Sequence, residues 1–161
     1  MWVKLVYARD HVPQRPGVYV VRWVRDGKPV RIPRVLAVDE KGILYIGSAG
    51  GLRDGVNSLV KGLRRPEHKA HAAALMYHFF GLDKHIKLEE MEVSWATFGS
   101  YKEAEEQEWA ALKFYADRYG EVPPLNRQLD KKLFHVHVLG LADILPAPLP
   151  KLDSRLAQLI A

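Results

Sequence analysis

A glycine-rich turn between an apolar run and a helical pattern is the feature that most constrains how this sequence can fold. The run 43–46 (ILYI) is apolar and β-prone, and the segment 47–51 (GSAGG) ends it at once. Beyond the glycines, apolar residues recur at steps of three and four, which is the period of an α-helix, at Leu52, Val56, Leu59, Val60 and Leu63. The stretch therefore predicts a strand, a tight turn and an amphipathic helix.

Cationic side chains follow this turn along the predicted helix. They are Arg53, Lys61, Arg64 and Arg65, and we take them as candidate nucleic-acid-binding residues. Together with the Tyr45 hydroxyl and the backbone amides of the turn, they would surround a small volume that suits a phosphate group. The alternative is an ordinary strand-turn-helix unit whose glycines serve only the turn.

Length and composition indicate one ordinary soluble domain. The chain has 161 residues, 48% hydrophobic and 27% charged residues, and no cysteine, which excludes disulfides, thiolate metal sites and a cysteine nucleophile. Its longest apolar runs fall well short of the roughly 20 residues that a membrane helix requires. The N-terminal stretch lacks the apolar core of a signal peptide. We therefore expect a cytoplasmic protein with no membrane partner.

Charge is distributed unevenly along the chain. Residues 1–70 contain fourteen Lys and Arg against six Asp and Glu, a net charge of +8, whereas residues 71–161 contain ten against thirteen, a net charge of −3. A basic half suits a polyanion, since its field accelerates association and makes binding salt-dependent. DNA is the expected partner, and a plain solvated surface is the alternative.

Turn signals divide the N-terminal half into strands. Residues 17–24 (GVYVVRWV) are rich in β-branched and aromatic residues, and the Asp26-Gly27 pair after them is typical of a hairpin. A second strand is predicted around residues 30–38, weakened by Pro33, and a third at residues 43–46. The expected fold is therefore α/β of the α+β kind, a three-stranded antiparallel meander flanked by helices.

Helices and a further strand are predicted after the turn. The patterns indicate helices at 52–65, 68–80 and 100–119, the last with Ser100 as its N-cap, and strands at 88–96 and 133–141. We expect residues 1–144 to form one domain, and residues 145–161 to form a proline-rich spacer and a short amphipathic helix. That C-terminal helix could dock on the domain, or carry a homodimer or protein contact.

Two tripeptides and a downstream segment resemble the GIY-YIG nuclease superfamily. The tripeptides are Gly17-Val18-Tyr19 and Tyr45-Ile46-Gly47, in the family's order and followed by an arginine-bearing helix. The segment around Glu108 and the turn 120–126 (GEVPPLN) resembles the family's glutamate helix and its Pro-x-Asn turn. The resemblance covers roughly residues 16–126.

The resemblance implies a DNA endonuclease with a divalent metal, Mg²⁺ or Mn²⁺. By it, Tyr19 and Tyr45 line the catalytic cleft, Glu108 holds the metal and Asn126 supports the site, with Glu105 a second choice for the metal. Hydrolysis of a phosphodiester needs an activated water and neutralised charge on the phosphate oxygens, and one carboxylate plus waters suits magnesium. Buried sheet tyrosines and a solvated acidic helix face are the alternatives.

One family position is not filled as expected. The arginine that clamps the phosphate should lie three residues after Leu52, where this chain has Gly55. Arg53 is the nearest substitute, although two residues' displacement puts it on a different helix face. His71, or His68, is a candidate general base beside the tyrosine, by resemblance to the restriction enzymes of the superfamily. A binding or assembly module that kept the fold but lost activity is therefore the alternative to a nuclease.

Overall fold

The computed structural model describes residues 1–67, 71–126 and 150–161, which combine an antiparallel sheet with helices. The strands are β1 (Val3–Lys4), β2 (Gly17–Arg25), β3 (Lys28–Pro29), β4 (Ile32–Pro33), β5 (Val38–Asp39), β6 (Ile43–Ala49) and β7 (Met91–Thr97). The α-helices are α1 (Leu52–Arg64), α2 (Ala72–Phe79), α3 (Tyr101–Tyr119) and α4 (Ser154–Ile160), and a 3₁₀-helix covers Leu5–Asp10. The expected coarse class, an α+β arrangement with an antiparallel sheet, is confirmed.

Strand β2 is the centre of the sheet. It pairs antiparallel with β6 on one side and with β7 on the other, and β1 extends the sheet beyond β7. Tyr19 thereby lies opposite Gly47 of β6 and Trp95 of β7. The strand expected at 88–96 is thus the third main strand, displaced to Met91–Thr97.

The predicted meander is wrong, because the segment expected as its middle strand does not form one continuous strand beside β2. The Asp26-Gly27 hairpin forms, with φ of 52° and 75° at its two central residues, as a two-residue turn of the I′ kind requires. However, β3 follows β2 only as far as Pro29, and β4 and β5 then form a separate two-stranded ribbon. Pro29 and Pro33 lack the N–H groups that a continuous central ladder needs. Strand β6 therefore takes the place beside β2.

Each face of the sheet is covered by its own layer. Helices α1 and α2 and the 3₁₀-helix pack on the face that carries Tyr19, Val21 and Leu44. Helices α3 and α4 pack on the face that carries Val18, Val20 and Ile46. The alternation along β2 follows from the two-residue period of a strand, and apolar residues on both faces indicate burial on both sides.

The predicted helices form with small changes at their ends. Helix α1 ends at Arg64, and Ser100 caps α3 by accepting a hydrogen bond from the Glu103 amide. Helix α2 begins at Ala72, and His71, expected inside it, is its N-cap with an extended backbone. Residues 68–70 lie outside the described part of the chain, as do the expected domain boundary at 144, residues 145–149 of the spacer and the strand at 133–141.

The C-terminal helix docks on the domain itself. Leu156 and Ile160 of α4 are fully buried in the core beneath α3. The Gln107 side chain on α3 donates to the Lys151 carbonyl at 3.0 Å and accepts from the Asp153 amide at 2.8 Å. The apolar side of α4 is therefore covered by this chain. No helix in residues 1–67, 71–126 or 150–161 is long and apolar enough to cross a bilayer.

A buried carboxylate holds the turn that leads into β6. Asp39 is 0% exposed and accepts hydrogen bonds from the amides of Lys41, Gly42 and Ile43 at 2.8, 3.1 and 2.9 Å. The Tyr115 hydroxyl on α3 donates to the same carboxylate at 2.7 Å. Asp39 therefore ties α3 to the start of the strand that carries Tyr45.

Replacing Asp39 with alanine should lower the free energy of unfolding by about 3 kcal/mol, because buried donors are left without an acceptor. Urea denaturation of Asp39→Ala measures the change. The matched control is Glu40→Ala, since Glu40 is exposed and forms a salt bridge with exposed Arg31. Its effect should stay within about 0.5 kcal/mol. Equal destabilisation by the two variants would contradict the role assigned to Asp39.

Candidate functional site

Two tyrosines and a histidine form a compact cluster above β2 and β6. The ring centroids are 5.7 Å apart for Tyr19 and Tyr45 and 5.4 Å apart for Tyr45 and His71. The Tyr19 hydroxyl and His71 Nε2 are 2.7 Å apart and share a hydrogen bond. Tyr19 is only 1% exposed, whereas Tyr45 and His71 are half-buried. The part of the cluster that can touch a ligand is therefore Tyr45 with His71, and Tyr19 lies behind them.

The glycines of both tripeptides are required by packing. A Cβ atom on Gly47 would lie 2.5 Å from Tyr45 Cε1, because the Tyr45 ring folds back over its own strand. A Cβ atom on Gly17 would lie 2.5 Å from the Ala96 carbonyl oxygen and from a methyl group of Leu52. Any other residue at position 47 would displace the Tyr45 ring, and any other residue at position 17 would require movement of the sheet and of the Leu52 side chain on α1. The tripeptides therefore fix the position of the tyrosines.

The hydrogen bonds of His71 determine where its proton lies. His71 Nδ1 accepts a hydrogen bond from the Ala73 amide at 3.2 Å, as the N-cap of α2. A neutral imidazole with an unprotonated Nδ1 carries its proton on Nε2. His71 therefore donates to the Tyr19 oxygen. Burial lowers the pKa of His71 to about 4, so the ring is neutral at physiological pH.

Both phenols stay protonated at neutral pH. Burial raises the pKa of Tyr19 well above its usual value, and Tyr45 and Glu108 add to the shift. The pKa of Tyr45 is raised by burial and then by the Glu108 charge. The Tyr19 hydroxyl accepts from His71, and the Tyr45 ring lies beside both residues. Because Tyr45 is protonated and more exposed than Tyr19, it is the outward-facing donor of the cluster.

Glu108 joins the site from the other face of the sheet. It lies on α3, and its carboxylate accepts a hydrogen bond from the Ser48 hydroxyl at the end of β6. The charge of Glu108 raises the pKa of both phenols. The structure brings Tyr19, Tyr45 and His71 into one cluster, and Glu108 is joined to the end of the same strand, β6, through Ser48. Ser48 is a site residue that the sequence reasoning missed, although its position one residue after Gly47 was a usable signal.

The position expected for arginine does face the tyrosines. A Cβ atom on Gly55 would point to Tyr19 Cε1 at 3.7 Å, but it would also lie 2.7 Å from the Ala49 Cβ. Close contact between α1 and the end of β6 therefore occupies the space where the clamp would begin. Within the described ranges, the charges and dipoles that act on the pKa values of Tyr19 and Tyr45 come from Glu108 and from tyrosines, and none comes from a cation.

Arg53 is hydrogen-bonded to the loop before β2 and not to a residue of the tyrosine cluster, within the residues that the structure describes. Its Nε donates to the Val12 carbonyl at 3.0 Å, and the side chain lies along the loop before β2. Lys61 and Arg64 line a groove between α1 and the 3₁₀-helix, and Arg65 is the C-cap of α1. The cations expected around a phosphate at the tyrosines are therefore directed elsewhere.

Asn126 supports the site through the backbone of β6. Its Oδ1 accepts from the Ile46 amide at 2.9 Å and its Nδ2 donates to the Ile46 carbonyl at 2.7 Å. The Leu125 amide donates to the Leu44 carbonyl at 2.9 Å, so the turn after α3 continues the sheet beside β6. The oxygen and the nitrogen of the Asn126 side-chain amide thus both bind the backbone of Ile46, the residue next to Tyr45. Asn126 therefore stabilises β6 and does not face a ligand.

The donor atoms of the site fit a hydrated magnesium or manganese ion. A carboxylate (Glu108) and a hydroxyl (Ser48) are hard oxygen ligands, and Mg²⁺ commonly binds through one or two carboxylates while keeping several waters. No group of three or more His, Cys, Asp and Glu residues that could hold a metal occurs among the described residues.

Comparisons with known proteins add no identification. A scan against protein-family models gives no match, and a search of curated proteins gives no significant match.

The low pKa of His71 predicts how stability depends on pH. In the unfolded chain a histidine titrates near 6.5, and in the fold His71 titrates at about 4. Between these values the unfolded chain binds more protons, so acidification from pH 7 to pH 4 should favour unfolding. His71→Asn keeps an N-cap and removes the titration. Because His71 is half-buried, its titration should lower the free energy of unfolding by on the order of 2 kcal/mol between pH 7 and pH 4.

Urea titrations at several pH values compare His71→Asn with His11→Asn, since His11 is exposed. The free energy of unfolding should fall less steeply with acidification in His71→Asn than in the wild type, and equally steeply in His11→Asn. Identical slopes for all three proteins would contradict a buried, neutral His71.

Proposed function

We propose that this protein is a metal-dependent phosphodiesterase acting on DNA, an endonuclease of the GIY-YIG type, located in the cytoplasm. The observation that supports the proposal is the cluster of Tyr19, Tyr45 and His71, together with the effect of the Glu108 charge on the pKa of both phenols. These groups come from separate parts of the chain, and each matches a position that the resemblance selects.

The chain's own residues supply hydrogen-bond donation and metal affinity. In hydrolysis a water oxygen bonds to phosphorus and the bond to the leaving oxygen breaks, while negative charge develops on the phosphate oxygens. Tyr45 is protonated at neutral pH and donates its O–H to that charge. The rings of His71 and Tyr19 pack beside the Tyr45 ring and position it, and Glu108 with Ser48 would hold Mg²⁺ or Mn²⁺. The bound metal would neutralise phosphate charge and lower the pKa of a water ligand.

Cleavage should depend on Glu108 and Tyr45. Glu108→Gln keeps an acceptor for Ser48 but removes the charge, and Tyr45→Phe removes the outward-facing donor. Each should reduce Mg²⁺- or Mn²⁺-dependent nicking of plain, branched or damaged duplex DNA by about a hundred-fold or more. The measurement is the single-turnover cleavage rate.

Glu105→Gln is the matched control for Glu108→Gln, because Glu105 lies on the same helix, one turn earlier, and carries the same charge. Its cleavage rate should remain close to that of the wild type. Cleavage that survives both Glu108→Gln and Tyr45→Phe would refute the proposed site.

A second candidate is a DNA-binding or assembly module without catalytic activity. The observation that favours it is Gly55, which faces Tyr19 where the family carries its phosphate clamp and has no room for a longer side chain. A guanidinium binds phosphate oxygens with two parallel hydrogen bonds, and the loss of such a contact costs roughly a hundred-fold in rate. This candidate predicts salt-sensitive DNA binding and no cleavage with any divalent metal.

Restoring the clamp tests the second candidate. Gly55→Arg alone would collide with Ala49, so the informative protein is the double variant Ala49→Gly, Gly55→Arg. If the site lacks only the clamp, the double variant should cleave DNA at least about ten-fold faster than the Ala49→Gly control. Equal rates in the two proteins, with folding verified by circular dichroism, would show that the missing arginine does not limit activity.

A further inference from the structure

A basic groove lies between α1 and the 3₁₀-helix, outside the tyrosine cluster. It has a volume of about 390 Å³. Its cations are Arg9 from the 3₁₀-helix and Lys61 and Arg64 from α1, and Asn57 adds an amide. Leu5, Val6 and Val60 form its apolar floor. We refer to these residues as the α1 groove.

The cations of the α1 groove differ from four arginines elsewhere in the N-terminal half. Arg22, Arg25, Arg31 and Arg34 form salt bridges with glutamates, several of them from the acidic half of the chain. In the part of the chain that the structure describes, Arg9, Lys61 and Arg64 form no salt bridge, and all are exposed. Asp54 is the acidic residue of the groove, and its carboxylate accepts from Gln14 at 2.5 Å. The groove therefore brings three exposed cations together against one carboxylate.

The α1 groove and the tyrosine cluster lie on opposite flanks of the same helix. Each residue of an α-helix is turned by about 100°, so Lys61 and Arg64 point about 120° and 180° away from Gly55. Gly55 faces Tyr19. A helix with its side chains is roughly 10–12 Å across, so one phosphate cannot touch both sites. The two sugar-phosphate backbones of duplex DNA are separated by about 12 Å across the major groove, so one backbone can contact the tyrosine cluster while the other contacts the α1 groove.

We propose that the α1 groove binds the sugar-phosphate backbone of the second strand of duplex DNA, while the tyrosine cluster faces the first strand. The proposal rests on the proposed function for its choice of DNA as ligand. Arg9, Lys61 and Arg64 contact phosphate oxygens, and the apolar floor lies against the sugars. The groove thereby gives the protein a preference for duplex over single-stranded DNA.

Equilibrium binding without cleavage tests this proposal. Fluorescence anisotropy is recorded in EDTA with a labelled duplex and with one of its strands, at several salt concentrations. The groove variant is Arg9→Ala, Lys61→Ala, Arg64→Ala. The control is Lys28→Ala, Arg31→Ala, Lys41→Ala, which makes the same change in net charge on the hairpin side of the sheet. Thermal unfolding confirms that both variants fold.

The groove variant should bind the duplex at least about ten-fold more weakly than the control variant at 0.1 M salt. Its slope of log K against log salt should be smaller by about three, one unit for each lost phosphate contact. Asp54→Asn should strengthen duplex binding. Equal affinity and slope in the groove and control variants would overturn the proposal, as would equal losses for duplex and single strand.

The outcome is separable from that of the proposed function. Glu108→Gln should keep its duplex affinity, because the α1 groove is intact. Duplex binding that depends on the groove in a protein that never cleaves would support the groove and refute the nuclease. Cleavage that depends on Glu108 but not on Arg9, Lys61 and Arg64 would support the nuclease and refute the role of the α1 groove.

Discussion

The pairing of β2 with β6 is the constraint on which the rest of the site depends. In this register Tyr19 lies opposite Gly47, and the absence of a side chain at Gly47 lets the Tyr45 ring fold back along its own strand. The two phenols then meet over one short stretch of backbone. Asp39 fixes the start of β6 and Asn126 fixes its edge. A slip of one residue in this pairing would put Tyr19 and Tyr45 on opposite faces of the sheet.

Burial gives the cluster its chemical character. Low solvent access raises the pKa values of both tyrosines and lowers that of His71, so at neutral pH the cluster contains neutral donors beside the Glu108 carboxylate. Such a set suits the stabilisation of developing negative charge better than the abstraction of a proton. The hydrogen bond from the Ala73 amide favours the same chemistry, since it occupies Nδ1, the nitrogen of His71 that would otherwise accept a proton.

Close packing also decides what the site lacks. The contact of Gly55 with Ala49 brings α1 near the end of β6 and leaves no space for the expected arginine. The cations of α1 are carried instead on the flank that faces the 3₁₀-helix, and most other arginines of the basic half are neutralised by glutamates. The site and the basic surface are therefore separate features, and their distance is set by the thickness of one helix.

The sequence by itself determined the strands β2 and β6, the glycine turn, α1, the N-cap of α3 and the residues that meet at the site, because hydrophobic period, turn chemistry and the spaced tripeptides are local signals. It could not determine that β6 takes the place of the expected middle strand beside β2, or that β7 is the third main strand, since strand pairing depends on which faces need burial and on prolines that interrupt a ladder. Nor could it determine that Arg53 turns to the Val12 carbonyl, that Ser48 meets Glu108 or that α4 is covered by α3. Those contacts join residues far apart in the chain, and only the tertiary structure decides them.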